Sequence, residues 1–191
     1  MREQVIIIGA GPAGLAAAGR LRERDIPFVI LEKGTGVAQC WRDHYDRLRL
    51  HTVKQFSHLP SLPFPEDYPL YVPKKELVAY YEAYAEKYNI QPVFNTTVTT
   101  IDKQDDTWTV NCTDGTVYTG ASVILCAGMN RIPFSPTFLG QEDFQGKIIH
   151  SHDYQNPTPY QGKRVLVVGM GNSGAGIALD VCERGGEAGS G

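Results

Sequence analysis

The sequence has no cluster of basic residues: 18 Lys and Arg against 21 Asp and Glu give a formal net charge of −3 over 191 residues. This balance provides no basic patch for nucleic acid or for an anionic membrane. Closely spaced cysteines are also missing, because the four cysteines stand at positions 40, 112, 126 and 182. Their spacing argues against a disulfide scaffold and against a zinc or other metal site, and it fits reduced thiols in a cytoplasmic protein.

The sequence also has no apolar run long enough to cross a membrane. Its apolar stretch over residues 5–19 is interrupted by Gly9, Gly11 and Pro12, and a membrane span needs about 20 apolar residues. A signal peptide would need a net-positive start, whereas the one basic and the one acidic residue before this stretch cancel. The stretch therefore predicts a strand, a turn and a helix.

The first 32 residues predict a βαβ unit. Residues 4–9 are apolar and largely β-branched, which is typical of a central parallel strand buried on both faces. Residues 12–24 begin with small apolar side chains and end with charged ones, which indicates an amphipathic helix. Residues 27–32 then predict a second buried strand.

The rest of the chain alternates between loops and regular elements. Residues 33–73 are irregular and rich in proline, aromatic residues and histidine, and a loop of this length in a compact domain is usually functional. Strands are predicted near 92–101, 107–112, 116–119, 121–127 and 163–169, and amphipathic helices at 74–88 and 172–184.

The first strand leads into a glycine-rich turn of the form G-x-G-x-x-G. Gly9 allows the tight turn, Gly11 lets the backbone approach a pyrophosphate, and Gly14 lets the helix pack close to the strand. The N-terminus of the helix offers free N–H groups and a favourable dipole to phosphates. Glu32 ends the second strand, where it can accept hydrogen bonds from ribose hydroxyls. Glycines that serve packing alone do not explain the position of Glu32, so we predict a dinucleotide site.

The turn alone does not separate FAD from NAD. The predicted strands within 92–119 lie between the βαβ unit and the strand that ends at Ala127 and Gly128. A three-stranded meander in this place is typical of FAD domains, and the arrangement resembles that of two-dinucleotide reductases and monooxygenases. The first turn is therefore predicted to bind FAD.

A long-range repeat points to a second dinucleotide site. The sequence VIIIGAGPAG near the start of the chain returns as VLVVGMGNSG, 160 residues later. Gly169, Gly171 and Gly174 repeat the glycine spacing, and the Asn and Ser before Gly174 can cap a helix or contact a phosphate. We predict the pyrophosphate site of NADPH here; the alternative is a capped helix start without a ligand.

Residues 144–154, FQGKIIHSHDY, match the F-x-G-x-x-x-H-x-x-x-[YF] signature of flavin-containing monooxygenases. They precede the second glycine-rich strand, as in that family, and a Baeyer–Villiger enzyme would carry Trp in place of Tyr154. Four further motifs resemble the YUCCA-type branch, that is, plant indole-pyruvate monooxygenases and their bacterial relatives. These are Gln39–Arg42 (QCWR), Tyr45–His51 (YDRLRLH), Lys54–Phe56 (KQF) and Leu62–Pro65 (LPFP), and the resemblance extends to about residue 184.

This resemblance implies an α/β fold: a FAD/NAD(P)-binding Rossmann-type domain with three layers (ββα) and a β-meander, followed by the first strand and helix of a second Rossmann unit. The corresponding domains are 1–160 for FAD, 161–184 for the start of the NADPH domain and 185–191 for a glycine-rich tail. The implied reaction uses NADPH to reduce FAD. O2 then adds at the flavin C4a position to give a hydroperoxide that oxygenates a small organic substrate.

The resemblance also implies roles for individual residues. Trp41 would pack on the flavin, although a core position is an equally good interpretation, and Arg42 would meet a phosphate. His150 is expected to make structural hydrogen bonds and Asn130 to shape a turn rather than contact a cofactor, so that no catalytic side chain is identified. The residues predicted to bind FAD are Gly9, Gly11, Pro12, Ala13, Gly14, Glu32, Lys33, Trp41, Arg42, Ala127 and Gly128, and those predicted to bind NADPH are Gly169, Gly171, Asn172, Ser173 and Gly174.

Two alternatives to a monooxygenase involve thiols. A disulfide reductase shares both nucleotide units but needs a redox-active thiol pair beside the flavin. Only Cys40 lies in the expected region, and the position five residues later is Tyr45. A one-cysteine peroxidase or reductase acting through Cys40 stays open, whereas Cys126 ends a buried strand and fits a core thiol. The monooxygenase signature outweighs both alternatives.

The end of the chain favours a further interpretation, an inactive FAD-binding fragment. Four of the last seven residues are glycine, and no strand is predicted after the helix at 172–184. The residue that would select NADPH over NADH belongs on that strand. We therefore hypothesise a truncated or frameshifted monooxygenase that binds FAD weakly and does not turn over.

Overall fold

The structure, a computed structural model, describes residues 2–129, 132–184 and 188–190 of an α/β protein. The chain forms two compact units. Met1–Asp43 and Thr52–Met129 make up the first, and His44–His51 and Asn130–Gly191 the second. The sequence predicts a different kind of boundary at residue 160, between the part that binds FAD and the part that binds NADPH. That division by cofactor stays a prediction.

The first unit is built on one five-stranded sheet. Its strands are ordered β2-β1-β5-β4-β3; β1 runs parallel to both β2 and β5, and β3, β4 and β5 form an antiparallel meander. Helix α1 connects β1 to β2, which confirms the predicted βαβ unit. The elements are β1 (Arg2–Ile8), α1 (Pro12–Arg22), β2 (Phe28–Leu31), α2 (Gln39–Arg42), α3 (Lys74–Lys87), β3 (Val98–Gln104), β4 (Thr107–Cys112) and β5 (Val117–Leu125).

The core of this unit lies on both faces of β1. On one face, Ile6 belongs to a buried cluster with Val110 and Tyr118 of the meander. Ile7 points to the opposite face, because successive side chains of a strand alternate. Its neighbour Ile30 lies on that same face, beside α1, since Ile7 and Ile30 are in register. The result is the predicted ββα layering, with the meander and α1 on opposite sides of the parallel strands.

The long segment between β2 and α3 is irregular over most of its length, but the short helix α2 (Gln39–Arg42) and a 3-10 turn at Lys54–Phe56 were not predicted. Side-chain hydrogen bonds hold residues 54–66 of this segment. The Tyr80 hydroxyl of α3 accepts a hydrogen bond from the Leu59 N–H and donates one to the Leu62 carbonyl, both at 2.6 Å. The Lys54 ammonium donates to the carbonyl of Glu66 at 2.7 Å. These contacts hold residues 54–66 in place within the first unit.

Three predicted strands in and beside the meander are wrong in their bounds. The strand expected at 92–101 begins only at Val98, because Asn95 adopts a left-handed conformation (φ +55°) and Val93 forms a single bridge to Leu31. The strands expected at 116–119 and 121–127 are one strand, β5, which pairs with β4 as far as Gly120 and with β1 over its later part. This later part is not buried as expected: Leu125 is 64% exposed.

The second unit contains the second glycine-rich turn. Strand β6 (Val165–Val167) is followed by helix α4 (Asn172–Arg184) and by strand β7 (Ala188–Ser190), which runs parallel to β6. The sequence predicts no strand after residue 184, so β7 is a correction. After α4 the chain returns beside β6, and β7 pairs with the edge of β6 although β7 consists of small residues.

None of the helices in the described ranges is long and apolar enough to serve as a membrane-crossing segment. The remaining helical segments are single 3-10 turns. They lie at Lys54–Phe56, Gln141–Asp143, Ser151–Asp153 and Thr158–Tyr160.

Candidate functional site

The turn after β1 depends on glycine at two positions. Gly9 has φ +102°, a left-handed conformation that disfavours any side chain, and a Cβ there would overlap the Cys126 carbonyl. A Cβ on Gly14 would overlap the carbonyl oxygen of Gly9. Gly14 therefore permits the close packing of α1 on the turn, as predicted.

Gly11 is different, because no atom lies within 4 Å of the position that its Cβ would take. It precedes Pro12, the first residue of α1, and no side chain caps the helix N-terminus. The N–H groups of the first helical turn have no intrahelical acceptor. The turn thus leaves an open space above uncapped N–H groups, and this arrangement fits a pyrophosphate.

Glu32 lies beside this turn at the end of β2, and its carboxylate is already anchored. One carboxylate oxygen accepts a hydrogen bond from the Ala10 N–H at 2.7 Å and the other from the Gly34 N–H at 2.8 Å. The residue is only 7% exposed. Each carboxylate oxygen has two lone pairs, so each can accept one further hydrogen bond.

The end of β5 reaches the same edge of the sheet. The Cys126 N–H donates to the Ile8 carbonyl at 2.8 Å, which places Ala127 and Gly128 beside the start of the glycine-rich turn. Both residues are exposed, as is Lys33 after β2. The structure therefore brings these predicted FAD residues together, whereas Asn130 lies outside the described residues.

Trp41 and Arg42 lie on α2. Trp41 is half-buried, and its ring centroid lies 6.4 Å from that of Tyr81. The Arg42 guanidinium donates to Glu82 at 2.6 Å and to the Val37 carbonyl at 3.1 Å. Contact of Trp41 with flavin and of Arg42 with a phosphate stay predictions.

A backbone contact that the sequence did not indicate ties this segment to the turn. The Ala38 N–H donates to the Ala10 carbonyl at 2.9 Å. Ala38 itself is buried and has φ +55°. Alanine rarely adopts a left-handed conformation, so the sequence did not predict this contact.

The second glycine-rich turn reproduces the first. Gly169 has φ +103°, a Cβ on Gly174 would overlap the Gly169 carbonyl, and Gly171 again has no atom within 4 Å of its Cβ position. Asn172 and Ser173, at the start of α4, are exposed. The sequence repeat is therefore a repeat of backbone geometry, which a common type of ligand would explain.

Within the signature 144–154, the two most distinctive side chains have structural contacts. His150 Nδ1 accepts a hydrogen bond from the His152 N–H at 3.0 Å and caps a 3-10 turn, in keeping with its expected role. Tyr154 is buried, and its hydroxyl donates to Asp180 at 2.8 Å. Burial, and next this hydrogen bond, raise the pKa of Tyr154.

Asp180 was not predicted, although the sequence offered a signal. It lies on the face of α4 that also carries Ile177 and Val181, so a carboxylate stands among buried apolar residues. A buried carboxylate requires partners. Such a position could have been identified from the helical pattern alone.

The cysteines give no sign of a redox pair. All four are free. Desolvation, and next the charge of Glu32, raise the pKa of the Cys40 thiol, which is opposite to the shift of an activated thiol. Among the described residues, no group of three or more His, Cys, Asp or Glu side chains could hold a metal ion.

The chain resembles known monooxygenases over nearly its whole length. It is 43% identical to a probable indole-3-pyruvate monooxygenase, YUCCA7, of Arabidopsis thaliana, over 93% of this chain and 44% of that protein. A flavin-containing monooxygenase from Stenotrophomonas maltophilia is 29% identical and has a TM-score of 0.89, over 99% of this chain and 57% of that one. An oxidized steroid monooxygenase bound to NADP is 27% identical and has a TM-score of 0.80, over 100% of this chain and 38% of that one.

These matches cover most of this chain but less than half of each curated relative. The chain spans about 44% of the length of the curated relatives that it matches. The sequence pattern of one family, described as pyridine nucleotide-disulphide oxidoreductase, matches residues 6–189 and thus includes both glycine-rich turns. The chain belongs to the pyridine nucleotide-disulphide oxidoreductase family.

Proposed function

We propose that this chain is the N-terminal part of a monooxygenase that uses FAD, NADPH and O2 to oxygenate a small organic substrate. The observation that carries the proposal is the first turn, in which Gly11 opens onto an uncapped helix N-terminus beside the anchored Glu32 carboxylate. The names of the matched relatives support a monooxygenase over other flavin enzymes. The proposal extends to the whole protein, of which this chain contributes the nucleotide-binding parts.

In the first unit, the ADP half of FAD would lie across the carboxyl ends of β1, β2 and β5. The backbone around Gly11 and the N–H groups of Ala13 and Gly14 would hold the pyrophosphate, and Glu32 would hold the ribose. Ala127 and Gly128 would pass close to the cofactor on the other side. Bound FAD would supply the redox chemistry, and the protein's part is to position it and exclude water.

In the second unit, the pyrophosphate of NADPH would occupy the turn formed by Gly169, Gly171 and Gly174. The exposed side chains of Asn172 and Ser173 would add hydrogen bonds to its oxygens. The NADP in the steroid monooxygenase structure supports this choice of nucleotide. We do not expect turnover by the 191-residue chain alone, which in our proposal contains only part of the enzyme.

The proposed substrate is a small organic molecule. Several matched relatives are named for indole-3-pyruvate, so an aromatic 2-oxo acid is the first substrate to test with the whole protein. We also propose a cytoplasmic location, in line with four unpaired cysteines. A disulfide reductase is not favoured, because Cys40 has no thiol partner and the pKa of its thiol is raised.

The two turns allow a crossed experiment in which each variant controls the other. Gly11→Ala and Gly171→Ala both add a methyl group in open space, so each should fold while filling one pyrophosphate position. We expect Gly11→Ala to weaken FAD binding roughly tenfold or more and to leave NADP+ binding unchanged, and Gly171→Ala to do the reverse. Titrations followed by flavin fluorescence and by calorimetry measure both affinities.

The proposed assignment of cofactors fails if the effects are exchanged between the two variants. It also fails if neither substitution changes the affinity for either nucleotide. Circular dichroism of each variant checks that the added methyl group has left the fold intact.

A further inference from the structure

Helix α4 carries a carboxylate on its buried face. Asp180 is 1% exposed, and its neighbours on that face, Ile177 and Val181, are 7% and 1% exposed. Removing a carboxylate from water is costly unless other groups compensate its charge. The burial of Asp180 therefore destabilises the second unit unless neighbouring groups compensate its charge.

Three side chains surround the Asp180 carboxylate. The Tyr154 hydroxyl donates to Oδ2 at 2.8 Å. Arg47 Nη1 lies 3.8 Å from Oδ1, and Arg184 Nε lies 4.0 Å from it. Oδ1 has no hydrogen-bond partner in the described part of the chain. Arg47 Nη1 also donates a hydrogen bond to the Glu183 carboxylate, so its charge is shared between two acidic groups. Among the described residues, the directed hydrogen bond to Asp180 comes from Tyr154.

These groups come from parts of the chain that are distant in sequence. Arg47 belongs to the segment His44–His51, Tyr154 ends the monooxygenase signature, and Asp180 lies in α4. The first two segments also contact each other directly. The Asp46 N–H donates to the Gln155 carbonyl at 2.9 Å, so these two segments are hydrogen-bonded to each other. The Asp180 carboxylate links α4 to both of them.

The same segment contacts α4 nearer to its N-terminus. A Cβ on Gly176 would lie 2.8 Å from the hydroxyl of Tyr45, and the Tyr45 ring meets the Tyr154 ring edge-on at 6.0 Å. The pair Tyr45 and Tyr154 therefore contacts α4 at two positions, Gly176 and Asp180. Asp180 follows Asn172 by eight positions, which is about 12 Å along a helix.

We propose that Tyr154, Asp180 and Arg47 form a positioning network that sets the orientation of α4. The orientation of α4 in turn aims its first turn, with Gly171 and Asn172, at the nucleotide pyrophosphate. This inference rests on the proposed NADPH site. It makes Tyr154 and Asp180 positioning residues, which act on the nucleotide through the helix and do not touch it.

The test compares Tyr154→Phe and Asp180→Asn in the full chain with the control Tyr160→Phe. Tyr154→Phe keeps the ring between its aromatic neighbours, and Tyr160→Phe removes a hydroxyl from the ring stacked on Tyr154 at 5.8 Å. We expect each of the first two variants to weaken NADP+ binding roughly tenfold, the size of one hydrogen bond to a charged group. FAD binding, and both affinities of the control, should stay within about twofold of the starting values.

Amide hydrogen exchange of residues 169–176 provides a second measurement that needs no ligand. The network predicts faster exchange in the first turn of α4 in Tyr154→Phe, at temperatures where circular dichroism shows the chain fully folded. A purely structural role would lower the melting temperature without changing the NADP+ affinity of the folded chain or the exchange of this turn.

The outcomes separate this inference from the proposed function. Unchanged NADP+ affinity together with unchanged exchange at 169–176 would overturn the network. If the starting chain binds no NADP+, the proposed site in this chain fails. Hydrogen exchange then still decides whether Tyr154 and Asp180 hold the first turn of α4.

Discussion

The three glycines of each glycine-rich turn differ in what a methyl group added at each position would meet. At the first and third positions of the first turn it would overlap a backbone carbonyl, and at the second it would meet no atom within 4 Å. In the second turn the third glycine meets the same carbonyl overlap, the second again has open space, and the first has a left-handed φ of +103°. The first and third glycines thus serve the fold, and the second leaves room for a ligand.

Glu32 serves both the fold and the proposed FAD site, and Glu32→Gln should therefore change both stability and binding. Its two oxygens accept from two backbone N–H groups, and the amide of Gln would face one of these donors with another donor. We expect a loss of about 1–3 kcal/mol in the free energy of unfolding, measured by urea denaturation, and weaker FAD binding.

The exposed Glu66 provides the control for this substitution. Glu66→Gln should change the free energy of unfolding by no more than about 0.5 kcal/mol. If Glu32→Gln were as mild as Glu66→Gln, the two backbone hydrogen bonds would not anchor the carboxylate in solution.

Site residues that lie close together in the sequence were predictable, and those that meet through long-range contacts were not. The glycines and Glu32 follow from local spacing, because turn geometry and strand length fix their positions within 32 residues. The buried position of Asp180 could be identified from the helical pattern of α4. Its contact with Arg47 could not, because the two residues are 133 positions apart and a single sequence carries no local signal for such a pair. The Ala38 contact escaped prediction for a related reason, since it involves only backbone atoms.

Helices α1 and α3 pack closely at Gly19. A Cβ there would overlap the Tyr84 hydroxyl and lie 2.8 Å from Cζ, and Tyr84 is fully buried and cannot move aside. Gly19→Ala should therefore cost about 1–3 kcal/mol in thermal or urea unfolding, although alanine is the better helix former.

Tyr84→Phe, unlike Gly19→Ala, should not lower the free energy of unfolding. The Tyr84 hydroxyl is buried without a hydrogen-bond partner among the described residues, so its removal should be neutral or stabilising by about 1 kcal/mol. In that background Gly19→Ala should cost less, and a double-mutant cycle measures the difference. Additive effects of the two substitutions would contradict the proposed steric conflict.

A polar cluster at the surface of the same helix pair predicts a dependence on pH. The hydrogen bond from Arg20, and next that with Ser61, lower the pKa of Glu23 from 4.5 to about 2. The unfolded chain then takes up this proton at higher pH than the folded chain. The contribution of Glu23 to stability is present above pH 4.5 and is lost as the pH falls through about 2.

Urea denaturation between pH 5 and 2 tests this contribution, with Glu23→Gln as the variant. We expect the stability of the unchanged chain to fall more steeply with acid than that of Glu23→Gln, by a modest amount because the pair is exposed. Parallel curves for the two proteins would show that the ion pair with Arg20 does not form in solution.

The elements that were predicted correctly are those with a strong local period. Helices α1, α3 and α4 and strand β1 have clear apolar patterns, and each helix follows a glycine or proline closely. The bounds of β3 and β5 were wrong because pairing partners, rather than side-chain pattern, decide where these strands begin and end. Strand β7 was missed because small residues gave no strand pattern, while β6 offered an edge to pair with.

The chain as a whole contains two copies of one strand–turn–helix unit. Each copy has a strand, a turn with two required glycines and one open glycine, and a helix without bulky residues at its start. The first copy also has the anchored carboxylate of Glu32 beside it. The assignment of FAD to the first copy and of the nicotinamide nucleotide to the second stays a prediction.

The binding of FAD by the purified chain is the most direct test of the first turn as a flavin site. We expect titration of the chain with FAD, followed by the flavin spectrum and fluorescence without a separation step, to saturate at close to one FAD per chain. Gly11→Ala, equally folded by circular dichroism, should need roughly tenfold more FAD for the same saturation. A folded starting chain that shows no saturable change in the flavin signal would contradict the proposed function, because the first turn would then not be a flavin site.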